Sequence, residues 1–139
     1  MKNFLETAIR LCRGHEYSEH LDFNLCAIVV RGGAILSVGY NRFGSSELVQ
    51  CFSNPSSNYN RNVHAEADAI IKIRKTSDLN GSKIYVARVM KKVGPNGEYL
   101  LGLAAPCEMC EEILRAYGIG KAFFTINNDS YGVKKIKKR

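Results

Sequence analysis

Apolar positions at Phe4, Leu5, Ala8, Ile9, Leu11 and Cys12 recur at intervals of three and four, which predicts an amphipathic helix over residues 3–13, stopped by Gly14. Residues 15–23 are polar and read as a loop, with His15 and His20 on the surface. Leu25 to Val30 is an unbroken apolar run, Gly32-Gly33 is a tight-turn signal, and Ala34 to Tyr40 is a second run. The two runs predict an antiparallel hairpin whose first strand is buried on both faces. Asn41 closes the second strand, and a loop rich in Ser, Asn, Phe and Tyr follows from Arg42 to Val63. Long irregular loops inside compact domains tend to be functional, so this one is expected to wall a binding site, with Phe43, Phe52, Tyr59 and Arg61 as candidate contacts or as pins to the core.

The second half alternates helix and strand. A helix is predicted over His64 to Lys75, with Asn62 as its N-cap. After the Asn80-Gly81 turn, Lys83 to Met90 is a third strand, and Gly94-Pro95-Asn96-Gly97 folds it back through Leu100 to Leu103. Pro106 is preset for the first turn of a helix that runs to Tyr117 and ends at Gly118. Lys121 to Ile126 and Tyr131 to Lys137 are the last strands, the second an edge strand whose lysines discourage pairing with other chains. Only a turn separates them, too little for a crossover helix, so they are expected to be antiparallel. The pattern is α/β, with a mixed sheet of about five strands.

The 139 residues form one expected domain, 1–139, of ordinary composition, 45% hydrophobic and 24% charged. Net charge is +7, yet residues 1–133 carry 15 basic against 13 acidic side chains, a balance of +2. The excess is a basic tail, 134–139, which keeps nucleic acid on the list of candidate partners, against the alternatives of a nuclear address and plainly solvated lysines. Lys2, Glu6, Arg10 and Arg13 interrupt the N-terminus, and no apolar run approaches the ~20 residues of a membrane span, so a cytoplasmic protein is expected. Five cysteines without a leader do not read as a disulfide framework.

Two short stretches carry chemistry: His64-Ala65-Glu66 and Pro106-Cys107-Glu108-Met109-Cys110. One imidazole and two thiolates three residues apart make three ligands for a tetrahedral Zn²⁺, leaving the fourth place for water, as in a catalytic site. Cys107 and Cys110 at i and i+3 share one face of their helix, near its positive end, where a thiolate is favoured. Glu66 lies about 200° around an ideal helix from His64. It is therefore placed to take a proton from the water rather than to ligate the metal beside His64. Three other readings are open: a redox Cys-x-x-Cys pair, a structural zinc completed by Cys12, Cys26, Cys51, His15 or His20, and a catalytically inactive, zinc-stabilised binding module.

H-x-E with P-C-x-x-C resembles the zinc-dependent cytidine/deoxycytidylate deaminase superfamily. The order of elements is similar along nearly the whole chain. The resemblance implies a three-layer α/β/α cytidine-deaminase-like fold, one Zn²⁺ per chain and a homo-oligomer. It also implies hydrolytic conversion of cytosine to uracil in a free nucleoside or nucleotide, as in pyrimidine metabolism, with Glu66 moving protons to N3 and the departing ammonia. It assigns the Ala65 N–H to the ring carbonyl and the Ala105 carbonyl to the exocyclic amine. Gly39-Tyr40-Asn41 resembles the strand end of deoxycytidylate deaminases, where the Asn bonds sugar or phosphate, although a turn Asn fits equally. An antiparallel last pair of strands is instead similar to nucleoside cytidine deaminases. Asp68 stands where many members have Asn, Ala104-Ala105 disfavours the adenosine branch, and the hairpin at 93–99 is an insertion. A base deaminase acting on RNA or single-stranded DNA is the alternative enzyme reading.

Overall fold

Among the described residues six strands form one mixed sheet, in which a single joint, between Lys83–Val93 and Lys121–Asn127, is parallel. The computed structural model describes residues 3–15, 23–43, 62–73 and 79–137. In chain order the elements are α1 (Phe4–Gly14), β1 (Phe23–Arg31), β2 (Ala34–Tyr40), β3 (Arg42–Phe43), β4 (Asn62–Val63), α2 (Ala65–Ile71), β5 (Lys83–Val93), β6 (Tyr99–Gly102), α3 (Glu108–Ala116), β7 (Lys121–Asn127) and β8 (Ser130–Lys135). The sheet runs β2-β1-β5-β7-β8, β6 joins β5 as a side branch, and β3 pairs β4 separately. The β7–β8 joint is antiparallel, as the short connection requires.

Helices cover both faces. On one, Ala8 and Cys12 of α1 pack on Cys26, Ile28 and Val30 of β1 with Ala87 and Val89 of β5. On the other, α2 and α3 pack through Ala69, Ile70, Ile113 and Leu114 on Ala27, Val29, Ile84, Val86 and Ala122. The alternation of β1 between these clusters is why its sequence reads as continuous apolar. Asn3 caps α1 through its side-chain oxygen, and Asn24 holds the other end by donating Nδ2 to the His15 carbonyl at 2.8 Å.

Several boundaries differ from the sequence pattern. β5 continues three residues beyond Met90 to Val93 before the Gly94–Gly97 turn, because β6 is there to pair with it. The cap of α2 is His64, not Asn62, which belongs to β4; the helix ends at Ile71, and Lys75 lies outside the described residues. In α3 the cap is Cys107, whose sulfur accepts from the Cys110 N–H, so Pro106 precedes the helix instead of entering it. Part of the basic tail is built into the fold: Ile136 is buried, and the Lys137 carbonyl accepts from Arg115 Nε at 2.6 Å. His20, Cys51, Phe52, Tyr59, Arg61, Lys138 and Arg139 lie outside the described residues. Among those described, no helix is long and apolar enough to cross a membrane.

Gly39 lets α2 lie directly on β2. A Cβ there would stand 2.3 Å from the Ala69 nitrogen and 2.4 Å from the Ala65 carbonyl oxygen, both backbone atoms that cannot swing aside. Ser37 Oγ donates to the Ala69 carbonyl at 2.7 Å in the same contact. Gly39→Ala is expected to lift α2, costing about 2 kcal/mol or more and lowering the zinc content of purified protein. Urea unfolding with elemental analysis checks this, and native values for both would remove the contact from the account.

Candidate active site

Two helix caps meet at one point. His64 precedes α2 and Cys107 precedes α3, both in extended backbone, and Cys110 follows one turn into α3. His64 Nδ1 lies 3.5 Å from Cys107 Sγ and 3.3 Å from Cys110 Sγ. The three donor atoms all fall within 4.8 Å of one another, and among the described residues no other His, Cys, Asp or Glu joins them. Cys12 and Cys26 are buried in the α1 layer, and His15 stacks on Tyr40 at 4.0 Å, so none of these three completes a four-ligand site. One nitrogen and two sulfurs suit Zn²⁺, and a set of three is what an open, catalytic centre uses.

Glu66 completes the constellation. It is 3% exposed, and its Oε1 has no hydrogen-bond partner, an arrangement that costs free energy unless a ligand or water supplies one. The helical angle expected between His64 and Glu66 does not apply, since His64 is the cap and not a helical residue. Both instead line one pocket of about 170 Å³, whose wall also includes Cys107, Asn41, Arg88 and Ala105. An acid with one unpartnered oxygen beside three soft and borderline donors fits a metal centre that works on a proton-bearing substrate.

The electrostatics follow the same geometry. The Cys110 thiol, the His64 ring and the Cys110 N–H all point at the Cys107 sulfur, and against the opposing effect of burial they bring its pKa down to about 4. Cys110 is pushed the other way by its bond to Cys107, by burial and by Glu66. The bond to Cys107 raises His64, and burial raises Glu66 against the pull of His64.

Asn41 is held tightly: its Oδ1 accepts from Leu25 N–H at 2.7 Å and its Nδ2 donates to the Phe23 carbonyl at 3.1 Å, so it fastens the end of β2 to β1 while facing the pocket. Ala65 is buried between His64 and Glu66, and Ala105 is exposed on the pocket wall. Three residues have roles here that sequence reasoning did not give. Thr125 Oγ1 accepts from Arg88 N–H and donates to the Gly102 carbonyl, while its own carbonyl accepts from Ala104 N–H, tying the approach to Cys107 onto the sheet. Asp68 accepts from Tyr40 N–H and pairs with Arg42 at 3.1 Å and Lys72 at 2.8 Å. Arg88 is the third. Its signal was present, a charge falling in step with Ile84 and Val86.

Fold and site together define a zinc-dependent hydrolase with one metal and one acid. The family model for the cytidine and deoxycytidylate deaminase zinc-binding region matches residues 1–126, and the chain belongs to that family of hydrolytic deaminases. Solved structures share the fold. The dCMP deaminase from the cyanophage S-TIM5 in apo form is 21% identical, over 91% of this chain and 82% of its own, with a TM-score of 0.54. The same enzyme in complex with dCMP and dUMP is 18% identical, over 87% of this chain and 76% of its own, with a TM-score of 0.53. Comparison with curated proteins gives no match.

Burial raises the pKa of Asp68, but the Lys72 ammonium, the Tyr40 N–H and the Arg42 guanidinium together hold it below its ordinary value. A carboxylate whose folded pKa is depressed adds stability that is present above its unfolded pKa, about 3.9, and is lost as pH falls through the folded value. Asp68→Asn is therefore expected to cost about 2 kcal/mol at neutral pH. In urea unfolding the gap to the native protein should close below about pH 4. A gap of equal size at both pH values would mean that charge is not its source.

Proposed function

We propose that this protein hydrolyses the exocyclic amine of a cytosine ring in a free nucleoside or nucleotide, leaving uracil and ammonia. The observation that carries the reading is the unpartnered, buried Oε1 of Glu66, facing a pocket it shares with His64 and Cys107. The antiparallel β7–β8 pair, with no helix between, supports a free substrate, as in the nucleoside branch. The dCMP and dUMP held by the structural neighbour support a small nucleotide. Lys134, from the tail that favours a polynucleotide, is engaged at 2.7 Å by Glu111.

His64, Cys107 and Cys110 would hold the Zn²⁺, which supplies the Lewis acidity that brings the pKa of a bound water to about 7. Glu66 takes a proton from the attacking water as the new C4–O bond forms and delivers it to N3. It then carries the second proton to N4, the C4–N4 bond breaks, and ammonia leaves. Ala65 N–H is assigned to the ring carbonyl and the Ala105 carbonyl to the exocyclic amine, one beside Glu66 and the other on the pocket wall. Asn41 Nδ2 has a second hydrogen, beyond the one given to Phe23, for a sugar hydroxyl.

Ammonia release from cytidine, deoxycytidine, their monophosphates, and short RNA and DNA strands tests the reading. Glu66→Gln is expected to lose about 10²- to 10⁴-fold in turnover while keeping one zinc per chain by elemental analysis. Native turnover in that variant would refute the assignment. Cys110→Ser is expected to lose the metal itself, and full zinc occupancy in it would move the metal elsewhere.

A further inference from the structure

Along β5 the side chains turned towards α2 and α3 run Ile84, Val86, Arg88: two buried aliphatics, and then a cation where the core gives way to the pocket. Arg88 is the sole Lys or Arg among the described residues that line this pocket. Its guanidinium carbon lies 3.9 Å from the centroid of the Phe23 ring, and Nη1 donates to the Leu103 carbonyl at 3.4 Å. Nε is buried with no hydrogen-bond partner, and no carboxylate among the described residues lies within ion-pair distance. Burial pulls the Arg88 pKa down, as expected for a cation short of a counter-charge.

A half-buried cation without a counter-charge is costly, and a ligand that brings the opposite charge offsets that cost. The chemistry of the side chain narrows that ligand. Phe23 fixes the plane of the guanidinium, and a planar fork suits the two oxygens of a phosphate better than a single neutral carbonyl. The reacting edge of the base belongs with His64 and Glu66, which leaves Arg88 for the other end of the substrate. A polynucleotide would be followed by a row of exposed cations along a groove, whereas among the described residues that line the pocket one cation stands, beside Phe23 and Leu103.

We propose that Arg88 is the specificity residue of this pocket, its guanidinium edge receiving the 5′-phosphate of a cytosine nucleoside monophosphate, so that the substrate is a free nucleotide. This rests on the deaminase reading given above. Asn41 and Thr125 are the positioning residues: Asn41 fastens the Phe23 carbonyl and Thr125 fastens the Arg88 N–H.

The test uses the zinc-loaded full chain and its Arg88→Gln and Arg88→Lys variants, with zinc content and thermal midpoint measured on each. It reads kcat/KM for CMP and dCMP against cytidine and deoxycytidine, for short RNA and DNA strands, and equilibrium binding of UMP and dUMP against uridine. The native protein is expected to prefer monophosphates. In Arg88→Gln the ratio of kcat/KM for monophosphate over nucleoside is expected to fall about 10- to 100-fold, as the loss of a charge-assisted hydrogen bond predicts. UMP binding should weaken by a similar factor, and Arg88→Lys should recover part of both. Equal losses for nucleosides and monophosphates, no native preference for monophosphates, or better turnover of strands than of monophosphates would each overturn the proposal. If no cytosine compound released ammonia while UMP still bound in an Arg88-dependent way, the deaminase reading would fall and the phosphate site would stand.

Discussion

The site depends on a backbone-to-backbone contact. At Gly39 the strand β2 and the helix α2 approach so closely that no side chain fits between them, and the contact is secured on either side by polar groups. Ser37 reaches the Ala69 carbonyl, and Asp68 reaches back to the Tyr40 N–H. Because Asp68 lies one turn beyond His64, the bonds that seat the helix also fix the direction in which its first residues point. Lys72 and Arg42 then neutralise an acid that is otherwise buried, so the clamp tolerates its own charge. His64 and Glu66 take their direction from this seat and then meet Cys107 and Cys110 across the cluster.

The second half of the centre is delivered by another route. α3 meets α2 at the cluster itself, where Cys110 bonds Glu66 and faces His64; its first residues are set by the chain that comes off β6, and that chain is anchored through Thr125. Two independently held arms thus bring a nitrogen and two sulfurs together, and the pocket opens at the seam between them. Its outer wall is fastened to the same frame. Asn41 holds Phe23, Phe23 lies against Arg88, and Arg88 shares Thr125 with the second arm. A disturbance at the rim is consequently felt by the residues that approach the metal ligands.

Much of this was legible before the structure. β1 could be read as an interior strand because Cys26 to Val30 offers no polar face, and the β7–β8 pairing followed from the few residues available for the turn. The His64, Cys107 and Cys110 cluster with Glu66 beside it was legible because an imidazole, a carboxylate and then two thiolates at that spacing have little other use. The helix starts were misjudged because caps are set by tertiary contacts: a histidine and a cysteine are poor capping residues by propensity, and they occupy those positions because the cluster puts them there. Asp68 looked like an anomaly in a motif, since its partners Tyr40 and Arg42 lie about thirty residues away. Arg88 needed the strand register, which places a residue on one face or the other and which composition does not supply.

The hairpin that carries β5 beyond Met90 and returns as β6 has a further meaning. Its turn closes on itself, with Gly94 N–H donating to the Glu98 carbonyl at 2.7 Å, and β6 hangs on β5 outside the main order of the sheet. An appendage joined in this way can grow or shrink without changing the register of any other strand. The tip of this hairpin is therefore a place where the chain can change length while the strands beneath the His-Cys cluster keep their partners.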